Sequence, residues 1–131
     1  MHILLIEPDV LLAESYTRAF EAAGHSVAVA RSAQTAVHTA DEQQPDVVVL
    51  ELQLPMHNGV EFLYEFRSYP EWLHVPVIIH SFTPPSEYDQ AATLERELGV
   101  QRCLYKPETS LANLCATVKN LEAAAHVAEN K

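Results

Sequence analysis

Carboxylates, a hydroxyl and an ammonium group follow four apolar segments of this chain. Glu7 and Asp9 come after the first segment, and Glu51 directly follows the third. Ser81 ends the fourth segment, and Lys106 follows the fifth. In open parallel sheets, ligands and chemistry gather beyond the carboxyl ends of the strands. The order of these residues therefore predicts one acidic crevice that also holds a lysine.

Two kinds of enzyme chemistry are not favoured by these residues. No glycine-rich loop follows an apolar segment, which argues against a nucleotide site. Glu7 and Glu51 are an alternative acid–base pair for hydrolysis, but no nucleophile and no sugar-binding aromatic groove accompany them. We therefore predict that the chain is not an enzyme.

The apolar segments alternate with helical patterns along the chain. Strands are predicted at residues 3–6, 26–30, 47–50, 77–81 and 103–105, and Ser32 is a suitable N-cap for the second helix. Right-handed crossovers between parallel strands place helices on both faces of a sheet. The pattern predicts an α/β fold, with one domain over residues 1–125 and a frayed tail over 126–131.

The charge and the hydropathy of the chain limit the kinds of partner that we expect it to bind. The formal net charge is -10 and the eight lysines and arginines are scattered, so we expect no nucleic acid and no membrane to bind. No apolar run is long enough to span a bilayer, and we expect a cytoplasmic protein. The seven histidines show no metal-ligand spacing, although His80 lies at the crevice and could titrate near neutral pH.

Several motifs agree in order and spacing with a known family. These are the acids after the first strand, Glu51 before Leu-Gln-Leu-Pro, the turn over residues 55–59, the run over 76–81, and Leu-Tyr-Lys-Pro at 104–107. Over residues 1–121 the chain resembles the receiver domain of bacterial two-component response regulators. The resemblance implies a doubly wound, flavodoxin-like sheet of five parallel strands in the order 2-1-3-4-5.

The same resemblance implies roles for particular positions. The position of Glu51 holds, in the family, an aspartate that accepts a phosphoryl group from a histidine kinase. Ser81 and Lys106 match the residues that contact the phosphoryl oxygens. Two acids after the first strand help to hold Mg²⁺, together with the carbonyl of the residue that corresponds to Gln53. A cis peptide bond at Lys106–Pro107 is also suggested.

Departures from the family pattern affect the acceptor and the readout. Glu51 is longer than aspartate by one methylene, and a misplacement of ~1 Å can cost on the order of 10²-fold in rate. Cys103 occupies the switch position, where the family has an aromatic ring on the fifth strand. Both departures argue against a phosphorylation cycle.

The metal site departs from the family as well. Glu7 fits the first acidic position, but Pro8 occupies the second and cannot ligate a metal. Asp9 is one residue further on and would point elsewhere. Any Mg²⁺ would rely on Glu7, Glu51 and Gln53, so Mg²⁺ is possible but weakened, and no cofactor is firmly expected.

We interpret the chain as an atypical receiver, or pseudo-receiver, that acts as a phosphorylation-independent interaction module. Glu51 is expected to reach Lys106 and Ser81, either imitating the phosphorylated state or forming a structural ion pair only. A protein partner or a second copy would bind through the fourth helix, fifth strand and fifth helix. Three alternatives stay open: a working phosphoacceptor that uses Glu51 or Asp9, the N-terminal regulatory domain of a longer transcription regulator, and a ligand sensor.

Overall fold

The computed structural model describes the backbone of residues 1–88 and 91–129, and the side chains of these residues except 91 and 125–129. The strands are β1 (His2–Ile6), β2 (Ser26–Ala30), β3 (Val47–Leu50), β4 (Val77–Ser81) and β5 (Val100–Tyr105). The helices are α1 (Val10–Ala22), α2 (Ala33–Glu42), α3 (Gly59–Phe66), α4 (Ala91–Arg96) and α5 (Leu111–Glu129). Short 3₁₀ turns cover Pro70–Trp72, Pro85–Glu87 and Lys106–Glu108.

The five strands form one parallel sheet in the order β2-β1-β3-β4-β5, which confirms the predicted order. All four residues of β3 are buried, as expected for a central strand covered on both faces. β5 begins at Val100, three positions before the predicted start at Cys103. The start of β5 could not be recognised in the sequence, because β5 is an edge strand in which Gln101 and Arg102 are exposed and polar.

Helices cover both faces of the sheet, and each face has its own core. Phe62, Phe66 and Trp72 pack on one face, beneath α2 and α3. Phe20 and Val118, from α1 and α5, pack on the other face. Since residues alternate between faces along a strand, β3 contributes to both cores, and its carboxyl end is held firmly between them.

Side-chain caps fix where three helices begin. Asp9 accepts a hydrogen bond from the Leu12 amide at 3.0 Å and so caps α1. Ser32 caps α2 through the reciprocal pair that it forms with Thr35, which confirms the predicted cap. Asn58 caps α3, and this fixes the loop that leads from β3 into that helix.

The C-terminal helix α5 is long and continues to Glu129. Asn130 and Lys131 lie outside the described residues, so the tail at 126–131 and the domain boundary at residue 125 stay predictions. Within the described part of the chain, no helix combines the length and the apolarity needed to cross a bilayer.

Candidate functional site

Three side chains from neighbouring strand ends meet in a buried cluster, as the sequence predicted. Glu51 follows β3, Ser81 ends β4 and Lys106 follows β5. The Lys106 ammonium lies 2.9 Å from Oε1 of Glu51, and the Ser81 hydroxyl donates to Oε2 of Glu51. All three residues are buried. The strand order brings them together because β3, β4 and β5 are consecutive neighbours.

Backbone amides complete the environment of the Glu51 carboxylate. The amide of Gln53 donates to Oε2 at 3.0 Å, and the amide of Phe82 donates to Oε1 at 3.1 Å. With Ser81 and Lys106, each carboxylate oxygen therefore accepts two hydrogen bonds from the described residues. An ionised carboxylate offers roughly four lone-pair sites, so the acceptor capacity of Glu51 is filled.

Glu7 is the fourth member of the cluster. Its Oε1 contacts the Lys106 ammonium, and its Oε2 accepts a hydrogen bond from the Asp9 amide at 3.1 Å. The ammonium also lies 4.7 Å from the centroid of the Phe82 ring, a cation–π distance. Glu7, Glu51 and Lys106 are hereafter called the buried ion cluster. The sequence did not predict the contact between Lys106 and Glu7, although β1 lies directly beside β3.

The contacts of Glu51 favour its charged form. Burial by itself would raise the pKa of Glu51. Hydrogen bonds from Ser81, the Gln53 amide and Lys106, together with the charge of Lys106, lower the pKa below its ordinary value. Glu51 is therefore a carboxylate at neutral pH, as its pairing with an ammonium requires.

His80 does not titrate near neutral pH, and that expectation is wrong. Burial and the nearby Lys106 charge lower the pKa of His80 to about 4, against an opposing effect of Glu51. The ring is buried on β4 and meets the Tyr16 ring edge-on, with the centroids 5.0 Å apart. His80 is a neutral core residue at physiological pH, and packing explains its presence.

Asp9 lies outside the acidic pocket to which its position after β1 assigned it, and its side chain points elsewhere, as expected from its place one residue beyond Pro8. The residue is exposed, and its carboxylate accepts the hydrogen bond of the Leu12 amide at the start of α1. The turn between β1 and α1 directs it there because the first amides of a helix need acceptors. The acidic pocket therefore consists of Glu7 and Glu51, and Asp9 serves the fold.

The buried ion cluster does not fit Mg²⁺. The ammonium of Lys106 bridges Oε1 of Glu7 and Oε1 of Glu51, so a cation already lies between the two carboxylates on which a metal would rely. Pro8 offers no side-chain ligand in place of a second acid. Among the described residues, no group of three His, Cys, Asp or Glu side chains is arranged to hold a metal ion.

Two further site positions differ from the family pattern that the chain resembles. Cys103 is half-buried on β5 and packs against the core beneath α2 and α3. Burial, and to a smaller extent Glu95, raises the pKa of its thiol, so it is an unreactive thiol at neutral pH.

The Lys106–Pro107 peptide bond is trans, as are the other described peptide bonds, and the carbonyl of Lys106 accepts a hydrogen bond from the Thr109 amide.

A parallel five-stranded sheet with acid, hydroxyl and lysine at its carboxyl edge defines a receiver-type signalling domain. The family model of the response regulator receiver domain matches residues 3–119, and the chain belongs to this family. Among solved structures, it superposes on chemotaxis protein CheY4 of Vibrio cholerae with a TM-score of 0.80 and 18% identity, covering 92% of this chain and 97% of that one.

The chain covers about half of some curated relatives and nearly all of another. The chain is 31% identical to the KDP operon transcriptional regulatory protein KdpE of Escherichia coli, over 81% of this chain and 44% of KdpE. It is 33% identical to the transcriptional regulatory protein PrrA of Mycobacterium tuberculosis, over 91% of this chain and 48% of PrrA. It is 25% identical to the polar-differentiation response regulator DivK of Brucella abortus, over 90% of this chain and 93% of DivK. The chain thus spans about half the length of the transcriptional regulators that it matches.

Proposed function

We propose that this chain is a pseudo-receiver, a non-enzymatic interaction module that works without a phosphorylation cycle. One observation carries the proposal: the carboxylate of Glu51 is already bonded to Ser81 and Lys106. By family resemblance these two residues would contact an incoming phosphoryl group. In this chain Ser81 and Lys106 instead contact the carboxylate of Glu51, which is permanently negative, as a phosphoryl group would be.

Electrostatics in the cluster also oppose phosphorylation. A phosphoryl group brings a charge of about −1.5 to −2 at neutral pH. The buried ion cluster already has two carboxylates and one ammonium, and its arrangement leaves no place for a metal. An added phosphoryl group would therefore meet uncompensated negative charge in a buried site.

The readout position supports the same proposal. A receiver that reports phosphorylation needs a side chain that changes place when the acceptor is modified. Cys103 occupies that position on β5 and is half-buried against the core. A small thiol offers neither the ring nor the reach for such a movement.

We propose that partners bind through α4, β5 and α5. β5 is an edge strand of the sheet, and Gln101 and Arg102 on it are exposed. An edge strand presents backbone N–H and C=O groups that no neighbouring strand pairs, and these offer a surface to a protein partner or a second copy. The two occupants differ in stoichiometry, which sedimentation of the isolated chain distinguishes.

Intact-mass spectrometry after incubation with Mg²⁺ and acetyl phosphate tests the proposal. We expect no phosphorylated species from this chain, while a conventional receiver treated in parallel gains the mass of a phosphoryl group. A phosphorylated species that maps to Glu51 or Asp9 would overturn the proposal in favour of a working, non-standard phosphoacceptor.

A second candidate is the regulatory domain of a longer transcription regulator. It is supported by the likeness to KdpE and PrrA, of which this chain covers 44% and 48%. Under this candidate, DNA contact belongs to another segment, since the present chain has a net charge of -10. Reading the coding region downstream of residue 131 tests it directly.

A further inference from the structure

A groove of about 720 Å³ lies between α2 and α3, on the opposite side of the sheet from α5. Its α2 side is formed by Ala33, Gln34, Val37, His38 and Asp41, and its other side by residues at the start of α3, on α3 and in the turn that follows it. The groove is separate from the buried ion cluster and from the α4–β5–α5 surface.

Aromatic side chains form the floor of this groove. Trp72 stacks on Phe66 with ring centroids 5.0 Å apart, and Tyr69 lies 4.7 Å from Trp72. Tyr69 and Trp72 both line the groove together with Phe62. Phe62 and Trp72 are buried and Tyr69 is half-buried, so the Tyr69 ring is the main aromatic surface that an apolar or a cationic side chain could contact.

The rim of the groove is acidic. Asp41, Glu61 and Glu65 line it and are exposed, and none of the described lining residues is a lysine or an arginine. Two histidines on the rim are each paired with an acid: His38 lies 2.8 Å from Glu42, and His57 lies 2.8 Å from Glu61. The rim therefore carries three carboxylates, of which Glu61 is already hydrogen-bonded to His57, and no lysine or arginine among the described residues lines the groove beside them.

We propose that the α2–α3 groove is a docking surface for a basic segment of a protein partner. An arginine or lysine of that segment would lie between the carboxylates of Glu61 and Glu65, and an adjacent apolar side chain would contact the half-buried ring of Tyr69. Charge complementarity selects this occupant. A second copy of the chain is disfavoured, because each copy has a net charge of -10 and would bring like charge to the rim.

The chain contains its own reporter for this site. Trp72 is the only tryptophan and lines the groove, so its fluorescence reports occupation of the floor. The probe is a capped peptide of alternating arginine and leucine, titrated into the intact chain. A peptide with glutamate in place of arginine serves as the ligand control.

Two double variants with the same change in net charge give the decisive comparison. The groove variant is Glu61→Gln with Glu65→Gln. The control is Glu14→Gln with Glu21→Gln, which neutralises two exposed acids on α1. We expect the groove variant to weaken peptide binding by about tenfold and the control by less than about twofold. Amide chemical-shift changes in the unmodified protein should map to α2 and α3.

Several outcomes would overturn the proposal. Equal weakening in both double variants would mean that the peptide responds to total charge only. Shift changes centred on another surface would place the peptide elsewhere. Binding of spermine as tightly as the peptide would point to a small polyamine, and a dimer that the groove variant abolishes would point to a second copy.

Discussion

At the scale of residues, the charge of Lys106 compensates two buried carboxylates. It is buried and contacts the carboxylates of Glu7 and Glu51 at the same time. Breaking a buried pair by removing one partner leaves an uncompensated charge in a region of low polarity. In this cluster the loss of one ammonium would leave two such charges facing each other.

We therefore predict that Lys106→Met strongly destabilises the fold. The expected loss in the free energy of unfolding is about 3–5 kcal/mol at neutral pH, measured by urea denaturation. The matched control is Lys119→Met, at an exposed lysine of α5, with an expected change within about 0.5 kcal/mol. The deficit should shrink in acid, where protonation of one carboxyl relieves the repulsion; a deficit that is independent of pH would contradict this account.

His80 provides a second prediction at this scale. Its pKa is about 4 in the folded chain against 6.5 for the ordinary group, so between these values the unfolded chain binds more protons. The contribution of neutral His80 to the free energy of unfolding is therefore complete above pH 6.5. It is lost as the pH is lowered toward 4, and the loss is about 3 kcal/mol. Urea denaturation across this window should give a flatter pH profile for His80→Leu, whereas the exposed control His74→Leu keeps the wild-type slope.

At the scale of elements, the junction between β3 and α3 positions the site. The Gly59 amide donates to the carbonyl of Leu52 at 2.8 Å, which fixes the loop directly after Glu51. A Cβ added at Gly59 would lie 2.9 Å from Cα of Leu52 and 3.0 Å from the carbonyl oxygen of Glu51. Glycine is needed here because the backbone of the strand end approaches the helix so closely.

We predict that Gly59→Ala destabilises the chain and disturbs Glu51. The loop must shift to relieve backbone contacts, at a cost of about 1–3 kcal/mol, measured as the urea midpoint. Glu65→Ala, on the exposed side of the same helix, should change stability by less than about 0.5 kcal/mol. Unchanged stability together with an unchanged amide resonance of Gln53, which donates to Glu51, would refute this reason for the glycine.

At the scale of the whole molecule, the position of Lys106 between Glu7 and Glu51 has an expected thermodynamic consequence. A ligand that binds only the folded state stabilises it by mass action, by about 2.7 kcal/mol at 100 times its Kd. Lys106 occupies the position between the carboxylates, so Mg²⁺ has no preferred site there. Folding of this chain should therefore be independent of Mg²⁺.

This prediction is tested by thermal denaturation with MgCl₂ and with NaCl at matched ionic strength. We expect equal Tm values in both salts and no further change when EDTA is added. A conventional receiver with a complete acid pair serves as the positive control and should gain stability in MgCl₂. A rise in Tm of this chain that saturates with MgCl₂ would mean that Mg²⁺ binds to the folded chain and displaces the Lys106 ammonium from between the two carboxylates.

Much of the fold could be predicted from the sequence because its signals are local. The buried run of β3, the cap at Ser32 and the alternation of strands with helices are all properties of short segments. The convergence of Glu51, Ser81 and Lys106 also followed, since parallel strands place their carboxyl ends at one edge. β5 was recognised only in part, because an exposed edge strand lacks the continuous apolar signal.

The amino-acid sequence by itself determined the order of the elements and which chemical groups stand at the strand ends. Only the tertiary structure decided that Lys106 bridges Glu51 to Glu7 and that His80 is a neutral core residue. The groove between α2 and α3 was likewise invisible in the sequence. The physical reason is common to these three features: contact, burial and pKa depend on which distant elements pack together, and no short segment encodes its neighbours.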